Sequence, residues 1–191
     1  MTVPTYTKMS VAEYLSFERS SETKHEYIAG HILAMSGASA AHNVITVNTL
    51  AVIHSQVSQR GCTVFPSDMR LGIVQQNIYV YPDITVVCGD VEFSDTEQDT
   101  LLNPTIIIEV LSPSTENYDR GKKSHYYRAI PTLQEYLLIA QDEPYIEHFV
   151  RYSAHQWLFS EVTAAQESIH LASIDCTLQL KDIYNKIPRR G

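Results

Sequence analysis

A chain of 191 residues that is 44% hydrophobic and 19% charged is long enough for one sizeable core and too apolar to be disordered. Its formal net charge of -8 argues against a protein that coats nucleic acid non-specifically, yet leaves room for an enzyme that meets phosphate through a metal ion or a local basic groove. Cys62, Cys88 and Cys176 are odd in number, far apart and free of C-x-x-C spacing. They read as free thiols in a reducing compartment, not as a disulfide framework or zinc cage. With no apolar leader at the N-terminus and no window of transmembrane length, a cytoplasmic location is expected.

In chain order, Ser10-Val11-Ala12-Glu13 is a capping box that starts a helix from Val11 to about Arg19. Lys24 to Ile28 and His31 to Met35 flank Ala29-Gly30 as the arms of a tight hairpin, with Glu26 in the first arm. A helical pattern runs from about Ala40 to Arg60, with Val44, Val47, Leu50, Ala51 and Val57 at core spacing and Gly61 as its stop. Its polar side carries His42, Asn43, Asn48 and His54. Strands follow at Cys62 to Phe65 and Met69 to Val74. A further strand, which Asn77 opens, runs through Tyr81-Pro82-Asp83-Ile84-Thr85-Val86-Val87, where Pro82 implies a bulge or an edge position.

Asp90 to Thr100 is an acidic surface loop, and Thr105 to Leu111 is a buried strand that Ser112-Pro113-Ser114 ends. A helix then carries Asp119, Lys123 and Tyr127 to about Ala129, and Leu133 to Ile139 is another strand. Short antiparallel strands at Tyr145 to Arg151, Gln156 to Val162 and Ser168 to Leu171 precede a helix around Leu180 to Asn185. The order predicts an α+β (mixed α/β) domain over residues 1–191, with a core at about 40–140, an N-terminal helix and hairpin at 1–36, and C-terminal strands and helix at 141–191.

Chemistry enters through Asp83 and Glu109, one carboxylate in each of two otherwise apolar strands. A carboxylate there must be paired, hydrogen-bonded or metal-bound, because leaving it alone costs several kcal/mol or shifts its pKa. Period-two alternation puts Asp83 on the face of Thr85 and Val87, and Glu109 on that of Ile107 and Leu111. Two such oxygen donors on neighbouring strands suit a Mg²⁺ or Mn²⁺ ion that polarises a phosphoryl oxygen and acidifies a water. Asp119, Lys123 and Tyr127 recur at four-residue spacing and share a helix face, which places an ammonium where transition-state charge develops. Arg120, Lys122 and Arg128 beside them would meet a nucleic-acid backbone.

These residues resemble a family. Pro82-Asp83, Glu109-Val110-Leu111-Ser112-Pro113-Ser114, Asp119-x-x-x-Lys123-x-x-x-Tyr127 and Gln134-Glu135-Tyr136 are similar to the bacterial Uma-type restriction-endonuclease family of the PD-(D/E)XK nuclease superfamily, long classed as a domain of unknown function. The Tyr27-x-x-Gly30 hairpin and His42 extend the likeness over most of the chain. The resemblance implies a restriction-endonuclease-like core, DNA as substrate, and metal held by Asp83, Glu109 and the Val110 carbonyl. The superfamily lysine normally stands two residues after the strand glutamate, where this chain has Leu111; the resemblance gives the role to Lys123, with Lys122 second because it points about 100° away. It also implies that Glu26 or His42 replaces an acidic residue missing from the first core helix, and that Gln134 touches the lysine. A homodimer is expected for double-strand cleavage.

The plainer alternatives are definite. Asp83 and Glu109 could be a strand-end cap and an ion pair with Lys123 or Arg128. Asp119 reads as an N-cap or ion-pair partner and Tyr127 as packing with a satisfied hydroxyl. Glu135 reads as a solvated strand end, and His25, His31, His148, His155 and His170 as surface residues. The same fold could serve as a catalytically silent nucleic-acid-binding or protein-interaction module, or hydrolyse another phosphate ester.

Overall fold

In the computed structural model, which describes residues 8–187, Ser10 opens α1 (Val11–Ser20) with the expected box. Its hydroxyl accepts the Glu13 N–H at 3.3 Å, and the Glu13 carboxylate accepts the Ser10 N–H at 2.8 Å. The helix lays Tyr14 against Tyr27 and Tyr79, with ring centroids 4.9 and 5.8 Å away. The hairpin of β1 (His25–Ile28) and β2 (His31–Ala34) turns at Ala29 and Gly30, both at positive φ (47° and 102°). Two successive left-handed residues match the twist of a tight hairpin, and glycine meets the second at no steric cost.

Two sheets organise the rest. One has five strands in the order β2-β1-β5-β4-β7, with β4 at Arg70–Ile73, β5 at Ile78–Val80 and β7 at Thr100–Leu101. The other has six strands in the order β11-β10-β9-β8-β6-β3. Here β3 is Cys62–Pro66, β6 Ile84–Cys88, β8 Ile106–Leu111, β9 Glu135–Ala140, β10 Tyr145–Ser153 and β11 Gln156–Thr163. Within it only β8 and β9 run parallel, so the sheet is mixed. A small ribbon of β12 (Ser168–Leu171) and β13 (Cys176–Gln179) adds to the C-terminal side, and β13 has no counterpart in the sequence reading.

The single strand predicted from Asn77 through Val87 is two strands in different sheets. The chain leaves the five-stranded sheet after Val80 and enters the six-stranded one at Ile84. Pro82, with no N–H to give to a ladder, sits where neither sheet needs one.

Along β8 the side chains alternate between two cores. Ile106, Ile108 and Val110 face α2 (Ala40–Val57), the C-terminal ribbon and α5 (Leu180–Ile183). Ile107 and Leu111 face Tyr127, Tyr136 and the five-stranded sheet. The core face of α2 is Ile45, Thr49, Ile53 and Val57, one turn apart; of the residues expected there, Val57 is buried and Leu50 packs against the core, while the centre of the buried stripe is shifted. Val47 is 65% exposed and Ala51 is exposed, because apolar residues extend beyond one stripe of the helix and periodicity alone does not choose which of them is buried.

Three further expectations are corrected. Cys62 and Cys88 are register partners across β3 and β6 and form a disulfide, a pairing that wide sequence spacing hides. Glu135 is no solvated strand end: it is 1% exposed, takes His148 Nε2 at 2.6 Å and accepts the Ser173 N–H at 2.7 Å. His148 is therefore buried rather than superficial, and His25 is half-buried against Glu18 at 3.1 Å. Among the described residues no helix is long and apolar enough to cross a membrane.

Candidate active site

The site lies where the two sheets meet. Extending the β6–β8 register by one step from Ile84↔Ile108 sets Asp83 opposite Glu109. Asp83 Oδ2 accepts the Val110 N–H at 2.7 Å, and the Asp83 N–H points to Glu109 Oε2 at 3.3 Å. Glu109 Oε1 accepts from Tyr127 Oη at 2.6 Å and from Lys123 Nζ at 3.1 Å. His42, in the first turn of α2 that Ser39 caps, sets Nε2 3.1 Å from Asp83 Oδ2. From the other sheet, β1 delivers Glu26, whose Oε1 lies 3.0 Å from Lys123 Nζ as an ion contact without hydrogen-bond alignment.

Lys123 ends a π-helical segment (Asp119–Lys123) inserted between two short helices, α3 (Glu116–Tyr118) and α4 (Ser124–Arg128). Three carboxylates surround its ammonium, Asp119 being the most distant at 3.5 Å. Wide turns of this kind are rare and found frequently at functional sites.

Burial pushes the Glu109 carboxyl up, to about 8, with the charges of Asp119 and Asp83 adding and Lys123 opposing. Burial likewise raises Asp119, against the pull of Lys123. Lys123 moves the opposite way from what burial dictates: the negative charges of Glu109, Glu26 and Asp119 hold it well above its ordinary value, so it stays an ammonium. For His42, burial alone would lower the pKa, but the Asp83 hydrogen bond and charge, with Asp119 behind it, raise it.

A cavity of about 580 Å³ opens over Asp83, Glu109, Asp119 and Lys123, walled by Ser39 and Ser114 among others. Four carboxylates (Glu26, Asp83, Glu109, Asp119) face one lysine and one histidine, a negative surplus that suits a hard cation. Every contact to the Asp83 carboxylate falls on Oδ2, so Oδ1 is without a partner among the described residues. No cluster of three His, Cys, Asp or Glu side chains is set to hold a metal among those residues; the donors in question are two carboxylates and a main-chain carbonyl. The donor types fit Mg²⁺ or Mn²⁺.

Asp83, Glu109, Lys123, Glu26, His42, Asp119 and Tyr127 thus come together. Tyr127 is both packing and partner, fully buried with its hydroxyl on Glu109. Asp119 is an ion-pair partner and not an N-cap. Gln134 stands elsewhere: it precedes β9 by one residue and bonds Thr132 O, whereas the register partner of Glu109 is Leu138. The basic stretch also dissolves. Arg120 is taken by Glu147 at 2.7 Å and Glu116 at 2.6 Å, Lys123 is buried, and Arg128 bonds Ser124 O and no carboxylate, which leaves Lys122 and Arg128 exposed. Tyr118 was missed. Its hydroxyl donates to Glu26 Oε2 at 3.0 Å, and its ring lies 5.6 Å from Lys123 Nζ. A tyrosine one residue before Asp119 carries no signal until the wide turn is known.

Comparison with known proteins bears on the fold and the family. Two uncharacterized proteins of Synechocystis sp. are similar to the chain: sll1609, 38% identical over 90% of this chain and 97% of its own, and slr1290, 35% identical over 94% and 93%. A crystal structure described as "a putative nuclease belonging to DUF820" from Anabaena variabilis shares the fold, with a TM-score of 0.72 at 23% identity over 92% of this chain and 97% of that one. The pattern of the Uma2 family, described as "Putative restriction endonuclease", matches residues 11–181, and the chain belongs to that family.

Proposed function

We propose that this protein is a Mg²⁺- or Mn²⁺-dependent nuclease that hydrolyses DNA phosphodiester bonds in the cavity above Asp83 and Glu109. The observation that carries the reading is the convergence of Asp83, Glu109 and Lys123, from two strands and a π segment, on one buried point beneath an open cavity.

Asp83, Glu109 and the Val110 carbonyl would hold the cation, which when bound supplies positive charge at the phosphoryl oxygen and acidifies a water. The Val110 N–H and His42 hold Asp83 Oδ2 in place. Tyr127 fixes one oxygen of Glu109. Lys123, permanently charged, orients the attacking water and offsets the charge that builds on phosphate in the transition state. Glu26 and Asp119 keep that ammonium at the site. Lys122 and Arg128 are the exposed cations of the helix available to the DNA backbone. Cutting both strands of a duplex takes two such sites, so the cleaving form is expected to be a homodimer.

The test is cleavage of supercoiled plasmid and linear DNA with Mg²⁺ or Mn²⁺. Glu109→Ala and Lys123→Ala should each lower the rate by at least about 100-fold, the scale of losing one preorganised charge. Activity that survives Glu109→Ala places the chemistry elsewhere. Absence of both cleavage and calorimetric metal binding favours the silent-module reading.

A further inference from the structure

In an ordinary α-helix, residues five apart lie about 140° around the axis from each other, so Tyr118 and Lys123 would face different ways. The π segment narrows that offset. Its Asp119 carbonyl accepts the Ser124 N–H, five residues on, and the widened turn brings the Tyr118 ring to 5.6 Å from Lys123 Nζ. The Tyr118 hydroxyl reaches past the lysine to Glu26 Oε2 at 3.0 Å, while Glu26 Oε1 lies 3.0 Å from the same ammonium. Glu26 is 5% exposed, and its only side-chain hydrogen-bond donor among the described residues is Tyr118. A buried carboxylate that loses its donor must find another or move.

We propose that Tyr118 is a positioning residue: through Glu26 it fixes where the Lys123 ammonium stands over Glu109. The kinetic side of this rests on the nuclease reading above, since it is there that Lys123 acts on substrate. The contact itself does not. Tyr118 reaches no reacting atom. It ties the N-terminal hairpin to the helical crossover, and Lys123 is held from both sides, by Glu26 from the five-stranded sheet and by Glu109 from the six-stranded one. With the hydroxyl removed, Glu26 keeps only its ion contact to Lys123, and the pair can shift so that the ammonium moves toward Glu109 and Asp119, away from the position from which it would serve a water or a phosphate.

The experiment has two arms. In the first, Tyr118→Phe keeps the ring and removes the hydroxyl; kcat for DNA cleavage should fall about tenfold with KM within twofold, while Tyr126→Phe, eight residues on, leaves both unchanged. In the second, melting temperatures of Tyr118→Phe, Lys123→Met and the double variant form a cycle read without any activity. Tyr118→Phe should cost about 3 °C in the wild-type background and much less beside Lys123→Met, because the two act through one carboxylate. Additive melting losses, or a Tyr118→Phe enzyme with wild-type kcat, overturn the proposal. A wild-type protein that cuts no DNA sinks the nuclease reading, and the melting cycle still decides the contact.

Discussion

Glu109 concentrates the tension of the site. It is 3% exposed, shares a face with Ile107 and Leu111, and accepts from Lys123 and Tyr127 through one oxygen while neighbouring carboxylates oppose its charge. With its pKa raised from 4.5 to about 8, its contribution to stability is fully present below pH 4.5 and lost as pH rises through 8. Glu109→Gln cannot ionise and escapes that loss. Its melting temperature relative to wild type should climb by several degrees between pH 5 and pH 8.5, on the order of 1 kcal/mol, and flat behaviour across that window would contradict the assignment. This residue was legible in the sequence because a carboxylate inside Ile-Ile-Ile-x-Val-Leu has few peaceful explanations. Glu26 was legible only through resemblance. Nothing in the hairpin's alternation says that its carboxylate meets a lysine 97 residues later in the chain. Gln134 misled for the opposite reason: it lies in a motif, but four residues upstream of the strand position beside Glu109.

At the scale of elements, the chemistry depends on pieces that sequence reading treats as punctuation. The hairpin turn is one. A Cβ at Gly30 would stand 3.0 Å from Lys8 Cβ and Cγ, at a φ of 102° that side chains rarely adopt. Gly30→Ala should therefore cost about 1–2 kcal/mol, or roughly 3–6 °C in melting temperature. Because β1 carries Glu26, cleavage should fall beyond what the stability loss explains, which activity measured well below the melting point separates. The strand–turn–strand pattern was readable here from Ala29-Gly30, as was the capping box of α1. Two things were not. The run from Asn77 to Val87 is rich in strand-forming residues on both sides of Pro82, so nothing local shows that its halves join different sheets. The π segment adds one backbone hydrogen-bond frame that four-residue spacing cannot register, although that spacing did place Asp119, Lys123 and Tyr127 on one side.

Across the whole molecule, charge and architecture point the same way. Arg19, Arg60, Arg70 and Arg120 are each committed to a carboxylate, and Lys123 to three. With a net charge of -8 and few uncommitted cations near the cavity, DNA binding should release few counterions. A plot of log affinity against log salt should have a slope shallower than about -3, the value for roughly three phosphate contacts; a slope near -6 would require a basic surface that the described residues do not present.

The contributions to the cavity are strewn along the chain: Glu26, His42, Asp83, Glu109, then Asp119 to Tyr127. The shortest continuous fragment that contains them all runs from Glu26 to Tyr127. During synthesis, at about 5–20 residues per second, roughly 5–20 s separate the making of Glu26 from that of Tyr127. Throughout that interval the nascent hairpin holds a carboxylate with neither its lysine nor its tyrosine. The seam between the sheets thus doubles as a timer, since the constellation can exist only once the crossover helix has been made and docked.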